Sequence, residues 1–197
     1  MKKLLIIGAG GHGKVTAEIA EATGDYEIID FVDDNNANAV GKIADLVNLY
    51  KHYDSAFVGI GNNRFRFELI KKLQEIGYEI PTLIHPTVYL SKSATVEKGA
   101  VLEPKCIVNA NTHIGLGCII SVGAIVDHDV KIGQSCHINA GAVVKAGAEI
   151  EDFRKLEAGE IVLGYGSAAG KPTVTPNSNS AFAKKHKEQT GEEISFF

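Results

Sequence analysis

The chain has no tryptophan, one methionine, five prolines and only three cysteines among 197 residues. Three thiols cannot supply the disulfide framework of a small secreted domain, and unpaired they suit a reducing compartment. No run of about 18 apolar residues occurs, so no membrane span is expected. Positive charge is scarce too: 20 Lys+Arg against 24 Asp+Glu give a net charge of -4, which argues against a basic nucleic-acid-binding surface. Lys2-Lys3 before Leu4–Ile7 mimics the start of a signal peptide, but the apolar run is short and glycines follow at once. That segment reads as a first strand, and the protein as cytoplasmic. With 45% hydrophobic and 22% charged residues, the chain is an ordinary globular one, long enough for one large or two small domains.

What the sequence does have is glycine, 21 residues of it, and a repeat. Counting in sixes from Ile84 to Ile150 meets only branched aliphatic residues, Leu90, Val96 and Leu102 among them. Four places after each, from Ala94 to Ala148, stand small or modest residues. Period six fits neither an α-helix nor a plain alternating strand. It fits short strands and turns stacked as the faces of a solenoid, in which neighbours bury what one repeat cannot. Cys106, Cys118 and Cys136 all occupy the small-residue position, so packing accounts for them better than metal ligation, which would need several ligands converging on one ion. Beyond Ile150 the repeat is expected to falter at Glu151–Leu156, with strand-like sequence returning at Ile161–Tyr165.

The first third reads differently. Leu4–Ile7 run into Gly8-Ala9-Gly10-Gly11-His12-Gly13, and helical spacing follows over Lys14–Ala22. Glycines between a strand and a helix let backbone approach a phosphate at the helix N-terminus. A second strand, Tyr26–Val32, ends in Asp33-Asp34, and a third, Ala56–Ile60, ends in Gly61-Asn62-Asn63 before a helix over Phe65–Ile76. Strand ends meeting loops at the carboxyl edge of a parallel sheet are where nucleotides bind. A dinucleotide dehydrogenase is the competing reading, with Asp30, Asp33 or Asp34 on a ribose. Residues 1–80 hold one mononucleotide-binding half rather than two, which argues against NAD.

Among seven histidines, His52 and His186 lie in polar surroundings and His85 at a domain junction. His113 and His137 share one repeat position. His128 stands apart, between Asp127 and Asp129. An imidazole next to a carboxylate is the ordinary general base.

Together, Gly-Ala-Gly-Gly-His-Gly, Asp33-Asp34, Gly59-Ile60-Gly61-Asn62-Asn63 and the hexapeptide repeat resemble, to about residue 172, one family. It is the sialic-acid O-acetyltransferase and nucleotide-4-amino-sugar N-acetyltransferase family of bacterial glycan biosynthesis. The resemblance implies an α/β Rossmann-like half-unit (residues 1–82), a left-handed parallel β-helix (83–173) with about 18 residues per coil, and a C-terminal tail (174–197). It implies acetyl-CoA as co-substrate, without metal or NAD, and a homotrimer with sites between subunits. The implied reaction is direct acetylation of the amine of a UDP-linked 4-amino-4,6-dideoxy sugar. O-acetylation of sialic acid or another sugar hydroxyl, a GDP-linked amino sugar, and a non-catalytic sugar-nucleotide scaffold are the alternatives. Carried over, Gly10, Gly11, His12, Asp33, Asp34, Ile60, Gly61 and Asn62 hold the nucleotide sugar. His128 is the base, Asp129 its support, and the Ala146 amide, one coil above His128, the oxyanion donor. His137, Ala146, Gly164 and Lys171 serve acetyl-CoA. Three positions depart from the pattern: Asp129 for glutamate, Ser121 for asparagine and Ala146 for glycine.

Overall fold

The computed structural model describes residues 2–165. Strand β1 (Lys2–Ile7) lies between β2 (Tyr26–Val32) and β3 (Ser55–Val58) in a three-stranded parallel sheet. Leu4 to Ile7 are fully buried, as befits a parallel strand covered on both faces. Helix α1 (Gly11–Thr23) connects β1 to β2. A short α2 (Leu46–Leu49) sits between β2 and β3, and α3 (Asn63–Ile76) follows β3. Both long helices start earlier than their apolar spacing suggests. Helix α1 begins inside the glycine motif, and α3 begins at Asn63 because the Asn62 side chain accepts the Phe65 N–H at 3.0 Å. Each ends on a left-handed glycine, Gly24 at φ 73° and Gly77 at φ 109°.

From Leu83 to Val162 the chain winds into a solenoid of two-residue parallel strands. Residue i pairs with residue i+18: Ile119 lies over Val101 and under His137. The second residue of each strand points inward, and these aliphatics interleave with the small column, including all three cysteines, in one core. Outward residues define three faces. The first carries Leu83, Val101, Ile119, His137 and Lys155, the second Tyr89, Ile107, Ile125, Val143 and Ile161, and the third Thr95, His113, Lys131 and Glu149. From Gly99 onward each corner places a residue in the left-handed region, such as Gly117, Gly123 and Gly147. Where glycine is missing, Lys105, Asn111, Asp129, Ser135 and Phe153 take that conformation.

The α/β unit packs on the first face. Leu83, Val101 and Ile119 are buried in one cluster with Leu4, Ile6, Ile19 and Phe57. The cover stops there: His137, one coil higher, is only partly buried and Lys155 is exposed.

The repeat does not falter after Ile150. Lys155–Leu156 pairs with His137–Ile138, and Ile161–Val162 with Val143–Val144. The interruption in sequence is real, since Arg154 fills the small-residue position and Phe153 the left-handed corner. At the last coil described, Arg154 turns out to Glu160 at 3.1 Å. Phe153 stacks edge-on against Phe67 at 5.3 Å between ring centroids.

The three cysteines are completely buried, and burial pushes the Cys106 thiol up to about 12. They act as small core residues. Replacing all three by alanine should cost roughly 1 kcal/mol per site and leave the solenoid intact. Urea unfolding followed by circular dichroism reads this; an unfolded triple variant, or one as stable as the parent, would contradict it.

Candidate functional site

Three loops at the carboxyl edge of the sheet enclose a cleft of about 400 Å³, lined by Gly10, Gly11, His12, Asp33, Asp34, Ile60 and Gly61 among others. Two close approaches shape it. A Cβ on Gly13 would run into the Gly8 carbonyl, and one on Gly59 would lie 2.8 Å from the Gly13 Cα. Helix α1 therefore presses its first turn against the ends of β1 and β3. Its N-cap, Gly10, provides no side-chain acceptor, so the first amides of α1 open towards the cleft, the arrangement of a helix end that suits an anion.

The two aspartates have different tasks. Asp33 accepts the Ala9 N–H through Oδ2 and the Asn35 N–H through Oδ1, both at 2.8 Å. Those bonds hold its carboxyl below the usual range, and they occupy both oxygens, Oδ2 bracing the glycine loop and Oδ1 the turn of its own segment. Asp34 accepts the Ile43 N–H through Oδ1 at 2.9 Å. Among the described residues its Oδ2 takes no hydrogen bond, which makes it the acidic oxygen open to a ligand.

Where this cleft meets the first face, two imidazoles face each other, with the His12 and His137 centroids 6.3 Å apart. His12 Nδ1 lies 3.7 Å from Glu103 Oε1, and His137 Nε2 is 3.1 Å from the Ser121 hydroxyl. The remaining nitrogens, His12 Nε2 and His137 Nδ1, are buried without a partner among the described residues. Burial, reinforced by the Arg66 guanidinium, pushes each imidazole down to about 4. Both are neutral at pH 7, so the His12–Glu103 contact has the spacing of an ion pair without being one. Burial also raises the Glu103 carboxyl, against the Val122 N–H that it accepts.

His128 lies on the turn between the second and third faces, half exposed. Its Nδ1 is 2.7 Å from Asp129 Oδ2, and its N–H is donated to Asp127 Oδ1 at 2.8 Å. The coil below braces both carboxylates, Asn109 Nδ2 donating to Asp127 and Asn111 Nδ2 to Asp129, each at 3.2 Å. The hydrogen bond to Asp129 and the charges of Asp127 and Asp129 raise the His128 pKa above its ordinary value. With Nδ1 held by the carboxylate, Nε2 is the nitrogen left to take a proton. Ala146 lies one coil above, its carbonyl accepting the Tyr165 N–H at 2.9 Å and its φ outside the left-handed region. Gly164 follows another coil up, backbone against backbone, because a Cβ there would strike the Ala146 carbonyl. The Tyr165 ring sits 6.3 Å from His128.

The residues named from sequence thus fall into two groups. Gly10, Gly11, His12, Asp33, Asp34, Ile60 and Gly61 share the cleft, with His137 at its inner end. His128, Asp129, Ala146 and Gly164 form a column on a different corner. Asn62 serves as the α3 cap, and Lys171 lies outside the described residues. Sequence reasoning passed over Arg66, Glu103 and Asn111. Glu103 and Asn111 stand 18 residues before Ser121 and Asp129, so the coil period pointed to both. Arg66 sits on the apolar stripe of α3 with Leu69, Ile70 and Leu73, an anomalous place for a cation.

The imidazole pair has a consequence for stability. Their folded pKa values lie below the ordinary 6.5, so between about pH 6.5 and pH 4 the unfolded chain binds protons that the folded chain refuses, and stability falls as pH falls. Each imidazole should cost on the order of 3 kcal/mol by pH 4. H12N and H137N should each flatten the slope of unfolding free energy against pH by about one proton in this window. Urea titrations at stepped pH measure it; identical slopes in the parent and both variants would refute the buried neutral pair.

Among the described residues, no helix is long and apolar enough to cross a membrane, and no group of three or more His, Cys, Asp or Glu could hold a metal. Residues 3–73 match the PglD N-terminal domain family. Over 113 residues the chain is 33% identical to UDP-N-acetylbacillosamine N-acetyltransferase of Bacillus subtilis (strain 168), a match covering 52% of this chain and about half, 51%, of that protein. Among solved structures, the acetyltransferase domain of PglB from Neisseria gonorrhoeae, in complex with acetyl coenzyme A, is 34% identical over 83% of this chain and 82% of its own, with a TM-score of 0.79. A histidine-to-alanine mutant of GDP-perosamine N-acetyl transferase from Caulobacter crescentus, in complex with CoA and GDP-perosamine, is 28% identical over 83% and 90%, with a TM-score of 0.77. The α/β half-unit followed by a left-handed parallel β-helix is the fold shared with these proteins. With a glycine-loop cleft, a carboxylate-held histidine on a repeat corner and a relative matched at this identity over most of both chains, the protein belongs to the sialic-acid O-acetyltransferase and nucleotide-4-amino-sugar N-acetyltransferase family of hexapeptide-repeat proteins.

Proposed function

We propose that the chain transfers the acetyl group of acetyl-CoA to the amine of a UDP-linked 4-amino-4,6-dideoxy sugar. The observation that carries this reading is the pairing, in one chain, of an uncapped helix N-terminus in a cleft with a carboxylate-held imidazole whose Nε2 is free for a proton. The relatives support it by what they bind: acetyl coenzyme A in the Neisseria domain, CoA with a GDP-linked amino sugar in the Caulobacter enzyme. The uridine preference rests on Asp34. One open carboxylate oxygen matches the single imide N–H of uracil, whereas guanine presents two adjacent donors that call for a bidentate acceptor.

His128 Nε2 takes the proton of the acceptor amine as its nitrogen attacks the thioester carbonyl, and Asp129 steadies the imidazolium. The Ala146 amide donates to the oxygen as it becomes an oxyanion. Collapse breaks the C–S bond, and the proton leaves with the CoA thiolate. The new bond is an amide, with no acyl-enzyme on the way. Gly164 borders the same column, where the CoA chain would pass. In the cleft the α1 N-terminus meets the diphosphate, and His137 reaches towards the acetyl group.

The two groups of residues lie on different corners of the solenoid, at opposite ends of the strands of the second face. That face presents Tyr89, Ile107, Ile125 and Ile161 in an exposed apolar column. Burying such a column between copies in a closed ring brings the His128 corner of one copy to the cleft corner of the next, which is why we assign a homotrimer with interfacial sites. Three reduced thiols and the acetyl-CoA supply both fit the cytoplasm.

General-base catalysis contributes about 10²–10⁴-fold, so H128A should lower kcat by that order with KM values little changed. Asp129 raises the His128 pKa, and only neutral His128 can take a proton. The acid limb of kcat/KM should therefore lie above pH 6.5 and move down in D129N. Retention of more than about a tenth of kcat by folded H128A would assign the proton to another group. For the cleft, D34A should raise KM for the UDP-sugar roughly tenfold without altering KM for acetyl-CoA. Calorimetry showing undiminished UDP-sugar binding to D34A would remove the base-reading role.

A further inference from the structure

Arg66 is fully buried, the largest side chain to be so among the described residues. Among the described residues no carboxylate pairs with it. Its guanidinium is met only by oxygens of amides: Nε donates to the Gly117 carbonyl at 2.7 Å and Nη1 to the Ile60 carbonyl at 2.9 Å. Nη2 donates to Asn63 Oδ1 at 2.9 Å, the Ser135 carbonyl at 3.0 Å and the Cys136 carbonyl at 3.2 Å. Burial lowers its pKa to about 10, which leaves it charged at neutral pH. A clasp between two domains does not need a buried charge, since apolar residues of similar volume hold an interface as well or better. What the guanidinium offers is a rigid planar fork that fixes several acceptors in one geometry.

The acceptors are informative. Ile60 lines the nucleotide cleft. Gly117 and Ser135 are the left-handed corner residues of consecutive coils, and Cys136 directly precedes His137. One side chain therefore spans from the wall of the cleft to the turn that carries the second histidine. Asn63 extends the same grip one coil higher, donating to the Phe153 carbonyl at 2.9 Å. Resting on the acetyltransferase reading, we propose that Arg66 is a positioning residue that registers the nucleotide-sugar cleft against the acetyl-transfer turn, fixing the Ile60 loop and the Ser135–Cys136 turn so that His12 and His137 meet across the site.

The charge has its own role. Besides Arg66, the groups around the two imidazoles are Glu103 beside His12, the Ser121 hydroxyl on His137, and Lys155 one coil above His137; the Cys118 and Cys136 thiols lie near Arg66 itself. Burial is the first cause of their neutrality, and Arg66 is the nearby cation common to both. Position and charge can thus be separated by two substitutions. R66K keeps the cation and loses the fork; R66M keeps the stem and loses both.

In R66K, KM for the UDP-sugar should rise about tenfold and kcat should fall, with KM for acetyl-CoA unchanged, the size expected when a network of charged hydrogen bonds is broken. The ring resonances of His12 and His137 should still titrate near their parent values by NMR. In R66M the kinetic loss should be at least as large, and both rings should titrate closer to 6.5. If both variants fold and assemble like the parent yet leave KM, kcat and both titrations unchanged, Arg66 is a clasp and nothing more. A loss of kcat with no change in KM, in proportion to the unfolded fraction, overturns the proposal equally. Should R66M not fold, the KM-against-kcat split in R66K decides alone. If the parent turns over no UDP-sugar, the acetyltransferase reading fails instead, while the titrations still test the electrostatic part.

Discussion

Parallel stacking with an 18-residue pitch is the constraint from which the site follows. Each two-residue strand is too short to hold a sheet alone, so its hydrogen bonds must be met by the coils above and below, and every residue acquires a fixed neighbour at i±18. That rule sets Asn111 beneath Asp129, Asn109 beneath Asp127 and Ala146 above His128. The first face changes from Leu83, Val101 and Ile119 to His137 and Lys155 at the level where the α/β unit ceases to cover it. A polar residue lower in that column would be buried without compensation, and an apolar one higher would face an open site.

Attaching an α/β unit to such a rod creates a problem of registry, because two separately packed cores meet along one face. Apolar contacts of Leu4, Ile6, Ile19 and Phe57 with the first face supply adhesion but little direction. Direction comes from hydrogen bonds to the corner carbonyls, which the left-handed turns leave pointing at α3. Arg66 and Asn63 take three successive corners, at Gly117, Ser135 and Phe153. The loop after β3 is tied to the same guanidinium through Ile60, so the cleft and the upper coils share one anchor.

The solenoid was legible in the sequence because period six is a strict physical requirement of stacking, whereas the last coil described was obscured by Phe153 and Arg154, whose bulk is taken up by turning out to Glu160 and stacking on Phe67. The glycine loop was legible because close backbone approach excludes a Cβ. Which aspartate is free was not, since Asp33 and Asp34 are identical in type and differ only in the amides that the loop brings to them. Nor was the neutrality of His12 and His137, which depends on burial created by docking two units far apart in the chain. Arg66 announced itself only as a cation on an apolar helical stripe, and the carbonyls that meet it come from coils far along the chain.

A composite site has a direct genetic signature. When H128A is co-expressed with an H12A/H137A double variant, random mixing in the proposed trimer would pair an intact His128 corner with an intact cleft at about a quarter of the interfaces. Acetyl transfer to the UDP-amino sugar by the purified mixture, compared with each parent variant alone, is the measurement. Activity approaching a quarter of the wild-type value would place His128 of one copy with the cleft of its neighbour. A mixture no more active than the better of its two parents would mean that each chain holds a complete site of its own.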